Sequence, residues 1–562
     1  MNQFPPLIPG VLFLFDFSPI ILFLPNLVLY CQKLTVEIVG EKLKLYMRNL
    51  LLRIRKKSGK MFARSLDYVE IIGNRLPHPA TLFALLAVTV VIISWIGHAV
   101  GASAEHPVDG TIIEARNLLS GDGIRWMYTN LINNFLKFPP LGYVLVVMIG
   151  IGVAEGSGLF TTLIRSLVLS APPKLVTGAI VFAGILSHLA SEAGYVILIP
   201  LGAMIFHALG RHPMAGLAAA FCGVSGGFGA NFFIGSIDPI LAGISQSAAQ
   251  MIMPEMVVNP AVNYYFMFVS SFLIVFIGTW VTERIVEPRL GKYQGSAEKL
   301  PIVQLTVREK KGLRWAGIAL LLTVAALAFT VIPEKGIFRD PATGSILHSP
   351  FFNGIIIGIL LMFFIPGLVY GIIVGTIKND KQVAKYIGQS MSGMGGYIVL
   401  VFFAAQFVYF FNYSNLGIIL AIKGAHGLQS IGLTGITLIV AFVLLSAFIN
   451  MFMGSASAKW AIMAPVFIPM LMLIDPPYHP ALTQAAFRIG DSVTNLITPM
   501  MSYFALIVTF AQKYDEKYGI GTIISTMIPY TVMLTLGWVL LLVLWMILGI
   551  PLGPDGPLYI PS

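Results

Sequence analysis

Charge is what this chain has least of. Asp, Glu, Lys and Arg make up 11% of its 562 residues, where soluble proteins carry about 25%. That scarcity excludes an ordinary water-soluble domain. Residues with apolar side chains make up 57% of the chain, and apolar stretches long enough to cross a bilayer as helices recur along it. Short, strictly alternating segments are missing, which excludes a membrane β-barrel. Cysteine is nearly absent: Cys31 stands near the start and Cys222 deep in an apolar segment, so a structural disulfide is not expected. No metal-ligand spacing and no nucleophile elbow appear, and the glycine-rich stretch Gly223–Pro239 lacks the Lys-Ser/Thr of a phosphate loop. Basic residues outnumber acidic ones, with a formal net charge of +10. They do not read as a nucleic-acid surface, because they sit in a few loops between apolar segments. RIRKKSGK (Arg53 to Lys60) and the linker from Arg284 to Arg314 show this best, and the pattern is the positive-inside one.

What is present reads as an all-α polytopic membrane protein. Residues 1–60 form an atypical N-terminal extension. Its apolar run from Leu7 to Cys31 is broken by Asp16, Pro19 and Pro25; it is an extra segment, a signal-like segment, or upstream sequence ahead of a start at Met47 or Met61. Residues 61–135 hold a first span, about Pro79 to Val100, and an acidic loop, Ala102 to Arg125, expected outside. Residues 136–283 form a first block of interrupted apolar segments. Residues 284–385 hold the basic, cytoplasmic linker and two linking spans. Residues 386–562 form a second interrupted block.

The two blocks resemble each other. YVILIP (Tyr195 to Pro200), RHPMAGLAAAF (Arg211 to Phe221) and Asn231 in the first parallel WAIMAP (Trp460 to Pro465), YHPALTQAAF (Tyr478 to Phe487) and Asn495 in the second, and a Ser precedes each set (Ser191, Ser457). The first block is entered from the acidic side and the second from the Lys-rich loop Lys378 to Lys385. Similar blocks entered from opposite faces are inverted repeats. With Gly/Pro-interrupted helices they mark secondary transporters, whose sites lie near the membrane midplane. Backbone groups freed at each break need partners that lipid cannot supply, so the breaks face protein or a water-filled cavity.

Residues able to carry chemistry fall at those breaks. Arg488 and Asp491, three apart in AAFRIGDSVTNLITP, share a helix face and can pair as a structural bridge. Intramembrane charges also mark substrate and ion pathways; Arg can hold a carboxylate bidentately, and Asp can carry a proton. In the first block, GVSGGFGANFFIGSIDP offers unwound carbonyls for a cation and the carboxylate Asp238, which equally suits a turn or helix cap. NMFMGSASAKWAIMAP, Asn450 to Pro465, has the small residues of a re-entrant tip, with Ser457 and Trp460 able to meet an aromatic ligand or simply to pack. Its partner SHLASEAGY adds His188 and Glu192 as proton-carrier candidates.

NRLPHPATLF (Asn74 to Phe83), GRHPMAGLAAAF with GVSGGFGANFFIGSIDP, SASAKWAIMAP and HPALTQAAFRIGDSVTNLITP together resemble the p-aminobenzoyl-glutamate transporter (AbgT) family, over roughly Leu66 to Leu548. The resemblance implies a homodimer in the bacterial inner membrane, with nine transmembrane helices and two re-entrant hairpins per protomer. It implies transport of p-aminobenzoyl-glutamate or p-aminobenzoate-like aromatic carboxylates, in some members efflux of sulfonamide antimetabolites, coupled to protons or sodium and needing no other cofactor. Carried over to this chain, its functional positions are Asp238, Ser457, Trp460, Pro480, Arg488, Asp491 and Pro499, with Asn450 and Asp491 near a sodium site; Asn495, Asn231, Glu192 and His188 complete the ion-coupling candidates. The resemblance implies Asn where this chain has His188. On this reading Arg488 meets the substrate carboxylate, Trp460 stacks on its ring, and Asp491 or Asp238 titrates. A channel would need charged rings or a symmetric filter. An intramembrane peptidase acting on aminobenzoyl-glutamate would need a nucleophile–base pair or metal set.

Overall fold

An apolar chain in a bilayer has no water for its backbone groups and must close its hydrogen bonds within itself, which favours helices. The computed structural model describes residues 79–105, 110–190, 194–295, 304–344, 346, 349–501 and 503–561. The N-terminal extension, Met47, Met61, Ser191 and Glu192 lie outside them. Helices α1 (Pro79–Ala99), α2 (Gly121–Leu136) and α3 (Pro139–Gly156) come first, with a hairpin of β1 (Ser103–Glu105) and β2 (Ile112–Glu114) in the acidic loop. Its strands run antiparallel, Ala104 opposite Ile113.

The first interrupted block is a series of short helices. They are α4 (Leu159–Leu169), α5 (Val176–Leu186), α6 (Ile199–Ala208), α7 (Pro213–Phe221) and α8 (Ile237–Ala249), followed by the longer α9 (Tyr264–Val281). The glycine-rich stretch is unwound as its composition predicts: a π-helical turn over Cys222–Gly226 gives way to ten non-helical residues, Gly227 to Ser236. Beyond the basic linker come α10 (Val307–Val331) and α11 (Ile355–Val374), then α12 (Asp380–Gly393) and α13 (Gly395–Tyr413). The charges of the linker run into α10, whose start is closed by a Thr306/Glu309 capping box. Helices α3, α4, α10 and α11 pack around an apolar cluster that includes Val147, Ile151, Phe160 and Phe363.

The second block begins with α14 (Leu416–Ser430) and α15 (Gly435–Asn450), which meet at an angle of 118°. Gly432 and Gly435 make that bend, with φ of 71° and 61°, a region other residues avoid. Then follow α16 (Ala456–Met472), α17 (Pro480–Thr494), α18 (Phe504–Gln512) and α19 (Ile520–Leu548). Pro465 and Pro469 lie inside α16. Each removes a helix hydrogen bond, and burial of α16 against its neighbours limits the cost.

Among the described residues, seven helices are long and apolar enough to span a membrane, or up to eight if α14 and α15 form one bent span; five further apolar helices are shorter. The two blocks also solve one local problem identically. His212 precedes Pro213 at the start of α7 and its Nδ1 accepts from Met214 N–H at 3.2 Å. His479 precedes Pro480 at the start of α17 and accepts from Ala481 N–H at 3.2 Å. Proline suits the first helical position because it has no N–H to lose, and the imidazole satisfies the next orphan donor.

Candidate functional site

Every residue of α17 is buried, so its two charges have no water to solvate them. Helix spacing predicts that Arg488 and Asp491 can pair with each other. They do not: each reaches a different partner on a different element.

Arg488 turns to the first block. Its Nη1 donates to Asp238 Oδ1 at 2.6 Å, and its Nε donates to the carbonyl of Gly229 at 3.1 Å. Asp238 lies in the first turn of α8, and its other oxygen, Oδ2, accepts from Gly235 N–H at 2.6 Å and from the Asn231 amide. It is thus both the turn residue its Asp-Pro setting suggests and the counter-charge of Arg488. The unwound backbone lies directly on α17, Gly229 N–H donating to Ser492 Oγ at 2.7 Å. A Cβ on Gly229 would fall 2.4 Å from that hydroxyl and 2.6 Å from the Arg488 carbonyl oxygen, so only glycine fits. Side-chain exposure is 2% for Arg488 and 6% for Asp238. One guanidinium nitrogen, Nη2, is buried without a partner among the described residues.

Asp491 turns to α16. Its Oδ1 lies 2.5 Å from Lys459 Nζ, with side-chain exposures of 1% for Lys459 and 3% for Asp491. The contact is a buried ion pair. Lys459 also donates to Asn450 Oδ1. The Asn450 amide nitrogen donates to the Asp491 carbonyl at 2.6 Å, Thr494 Oγ1 at 2.9 Å and Asn495 Oδ1 at 2.8 Å. Asn450 therefore meets both Asp491 and the Lys459 ammonium, and Asn495 is tied to them through the Asn450 amide. Lys459 escaped the sequence reading, although a lone Lys in an otherwise apolar helix was the available signal.

The Trp460 ring stacks on Phe487, 4.5 Å between centroids, and it is fully buried. Its Nε1 donates to Ser245 Oγ at 2.9 Å, Ser245 donates to Gln484 Oε1 at 2.6 Å, and Gln484 donates to Asn263 Oδ1 at 2.8 Å. In this conformation Trp460 locks α16 to α8 and α17. Ser457 is half-buried, its hydroxyl 3.4 Å from that of Ser455, the cap of α16. Pro480 opens α17, and Pro499 lies in the turns after it. His188 is buried at the 3-10 turn after α5, edge-on to Phe228, with Nε2 unpartnered among the described residues.

The arrangement is two buried ion pairs, Asp238–Arg488 and Lys459–Asp491, on one helix flanked by two helix breaks. Such a centre can exchange its internal counter-charges for those of a bound molecule. Two cavities, of about 350 and 650 Å³, lie elsewhere, beside α14–α16 and around the β-hairpin, and none of these four charged residues lines them. Among the described residues no group of three or more His, Cys, Asp or Glu could hold a metal ion.

Comparison with known proteins places the chain in a family. The sequence profile of the AbgT putative transporter family fits residues 64–560. The chain is 41% identical over 498 residues, 89% of its length and 97% of the relative's, to the p-aminobenzoyl-glutamate transport protein of Escherichia coli K12. It is similar to the solved YdaH transporter of Alcanivorax borkumensis, at 44% identity and a TM-score of 0.81, covering 85% of this chain and all of that one. It is also similar to Neisseria gonorrhoeae MtrF, described among a class of antimetabolite efflux pumps, at 49% identity and a TM-score of 0.83, covering 88% of this chain and all of that one.

Proposed function

Since the chain belongs to the AbgT transporter family, we propose that it is an ion-coupled secondary transporter of p-aminobenzoyl-glutamate or p-aminobenzoate-like aromatic carboxylates, exporting sulfonamide antimetabolites as well. Its coupling ion is a proton or sodium. It works in the bacterial inner membrane as a homodimer, each protomer with nine transmembrane helices and two re-entrant hairpins arranged as an inverted repeat. The matched His-Pro caps of α7 and α17 support the repeat.

The observation that carries the reading is the Asp238–Arg488 pair. It joins the unwound stretch of one block to the buried helix of the other, and it leaves Arg488 Nη2 unmatched. A buried guanidinium donor without a partner is costly, and a substrate carboxylate can complete it bidentately. Substrate would compete with Asp238 for Arg488, loosening the tie between the blocks. The charges are sealed here, so entry requires the blocks to shift, which is the motion alternating access needs.

The test is reconstitution in proteoliposomes, with uptake and counterflow of labelled p-aminobenzoate, p-aminobenzoyl-glutamate and a sulfonamide under imposed proton or sodium gradients. Saturable, mutually competing, gradient-driven flux is expected, abolished by Arg488→Ala. Flux without saturation, or unchanged flux in that variant, refutes the proposal.

A further inference from the structure

Two buried oxygens, Asn450 Oδ1 and Asp491 Oδ1, converge on one position. Asn450 is the last residue of α15, and a helix C-terminus carries partial negative charge. Its amide is oriented by the three acceptors of its nitrogen, Asp491 O, Thr494 Oγ1 and Asn495 Oδ1. The amide oxygen must therefore face away from them, toward a positive group. The Asp491 carboxylate adds the formal charge. Oxygen donors of this kind suit hard cations.

The cation present is Lys459 Nζ. It takes the Asn450 oxygen and sits 2.5 Å from Asp491 Oδ1. It reaches there from the first turn of α16, whose start is held by the Ser455 cap. A sodium ion would need the same two oxygens, beside an ammonium that is itself 1% exposed. Two like charges a few ångströms apart in a low-dielectric interior repel strongly. The residues that the resemblance offers for sodium therefore do not fit that ion while Lys459 is seated.

We infer that Lys459 is a tethered cation that takes the place of sodium between Asn450 and Asp491, and that this site in this chain is closed to sodium. The binding claim stands on these contacts alone. Its consequence for coupling, that sodium does not drive the cycle through this site, rests on the transport reading.

The experiment uses the full-length protein purified in nanodiscs, with sodium exchanged for choline at constant ionic strength. Thermal unfolding and radioactive sodium binding are both read. For the wild type we expect no sodium-dependent shift in Tm and no saturable binding. Lys459→Ala is expected to gain saturable sodium binding and a sodium-dependent rise in Tm of about 3 °C or more. Lys459→Arg, which keeps a cation, is expected to behave like the wild type. Adding Asp491→Asn to Lys459→Ala should abolish the gain. Saturable sodium binding by the wild type that Asp491→Asn removes would overturn the inference, and so would a folded Lys459→Ala protein that gains no binding. The wild-type measurement decides by itself if that variant does not fold. No transport is measured here, so a failed flux assay leaves this result standing, and the reverse holds equally.

Discussion

The Asp238–Arg488 pair lends itself to a double-mutant cycle. Asp238→Asn keeps the shape of the side chain and removes its charge; Arg488→Met keeps an unbranched, space-filling chain and removes the guanidinium. Both side chains are almost wholly enclosed, at 6% and 2% exposure, so either single change strands a charge with little water to solvate it. Removing one partner of a buried pair costs about 3–5 kcal/mol. Some of the damage in Asp238→Asn is cushioned because Arg488 Nε still donates to Gly229 O at 3.1 Å. In Arg488→Met it is cushioned because Asp238 keeps Gly235 N–H and Asn231. The double variant strands no charge, so it should be more stable than the sum of the singles predicts, with a coupling of at least about 1.5 kcal/mol. Urea unfolding in mixed micelles, followed by tryptophan fluorescence, measures all four corners, and urea adds no ions to screen the pair. Transport in proteoliposomes should stay lost in the double variant, since neutral side chains cannot hold a carboxylate. Additivity to within about 0.5 kcal/mol would show that the contact does not tie the two blocks. Transport recovered together with stability would show that Arg488 is structural only.

Other perturbations follow from the same geometry. Asp491→Asn should leave Lys459 without its counter-charge, lowering stability by about 3–5 kcal/mol and abolishing gradient-driven accumulation; accumulation at the wild-type rate in liposomes would remove Asp491 from coupling. Gly229→Ala should destabilise by about 1–3 kcal/mol or more, because its Cβ would meet Ser492 and the backbone of Arg488 at 2.4 and 2.6 Å; a midpoint of unfolding equal to the wild type's would contradict that contact. Gly490→Ala should behave alike, its Cβ falling 2.4 Å from the Val443 carbonyl where α17 crosses α15. Ser245→Ala should cost about 1–3 kcal/mol, because it removes the link between Trp460 and Gln484; hydrogen exchange at the start of α16 is expected to accelerate, and unchanged protection there would count against it.

Much of the architecture was legible in the residues, and the reasons are local. Apolar length is a property of short segments, so the helical, membrane-spanning character of the chain could be read directly. The unwound stretch Gly227–Ser236 follows from glycine content, and the starts of α7 and α17 follow from His-Pro. Asp238, Arg488 and Asp491 stood out as candidates because a charge in apolar sequence is conspicuous; Asn231 and Asn495 stood out by their matching places in the two blocks, and Asn450 through the family resemblance. The pairing was not legible. Spacing placed Arg488 and Asp491 on one face and invited a bridge between them, yet Arg488 bonds a residue 250 positions away and Asp491 meets Lys459 on another helix. Trp460 shows the same limit: its stacking on Phe487 comes from how α16 packs on α17, which no local pattern gives.

By itself, then, the sequence determined that this chain lives in a membrane, where its helices break, and which side chains had to be protected from lipid. Those follow from transfer energies and backbone geometry, which depend on a residue and its near neighbours. Tertiary structure alone decided which charge neutralises which. Electrostatic attraction in a dry interior acts between whatever groups the fold brings within a few ångströms, and that distance is set by how α8, α16 and α17 pack, not by their separation along the chain.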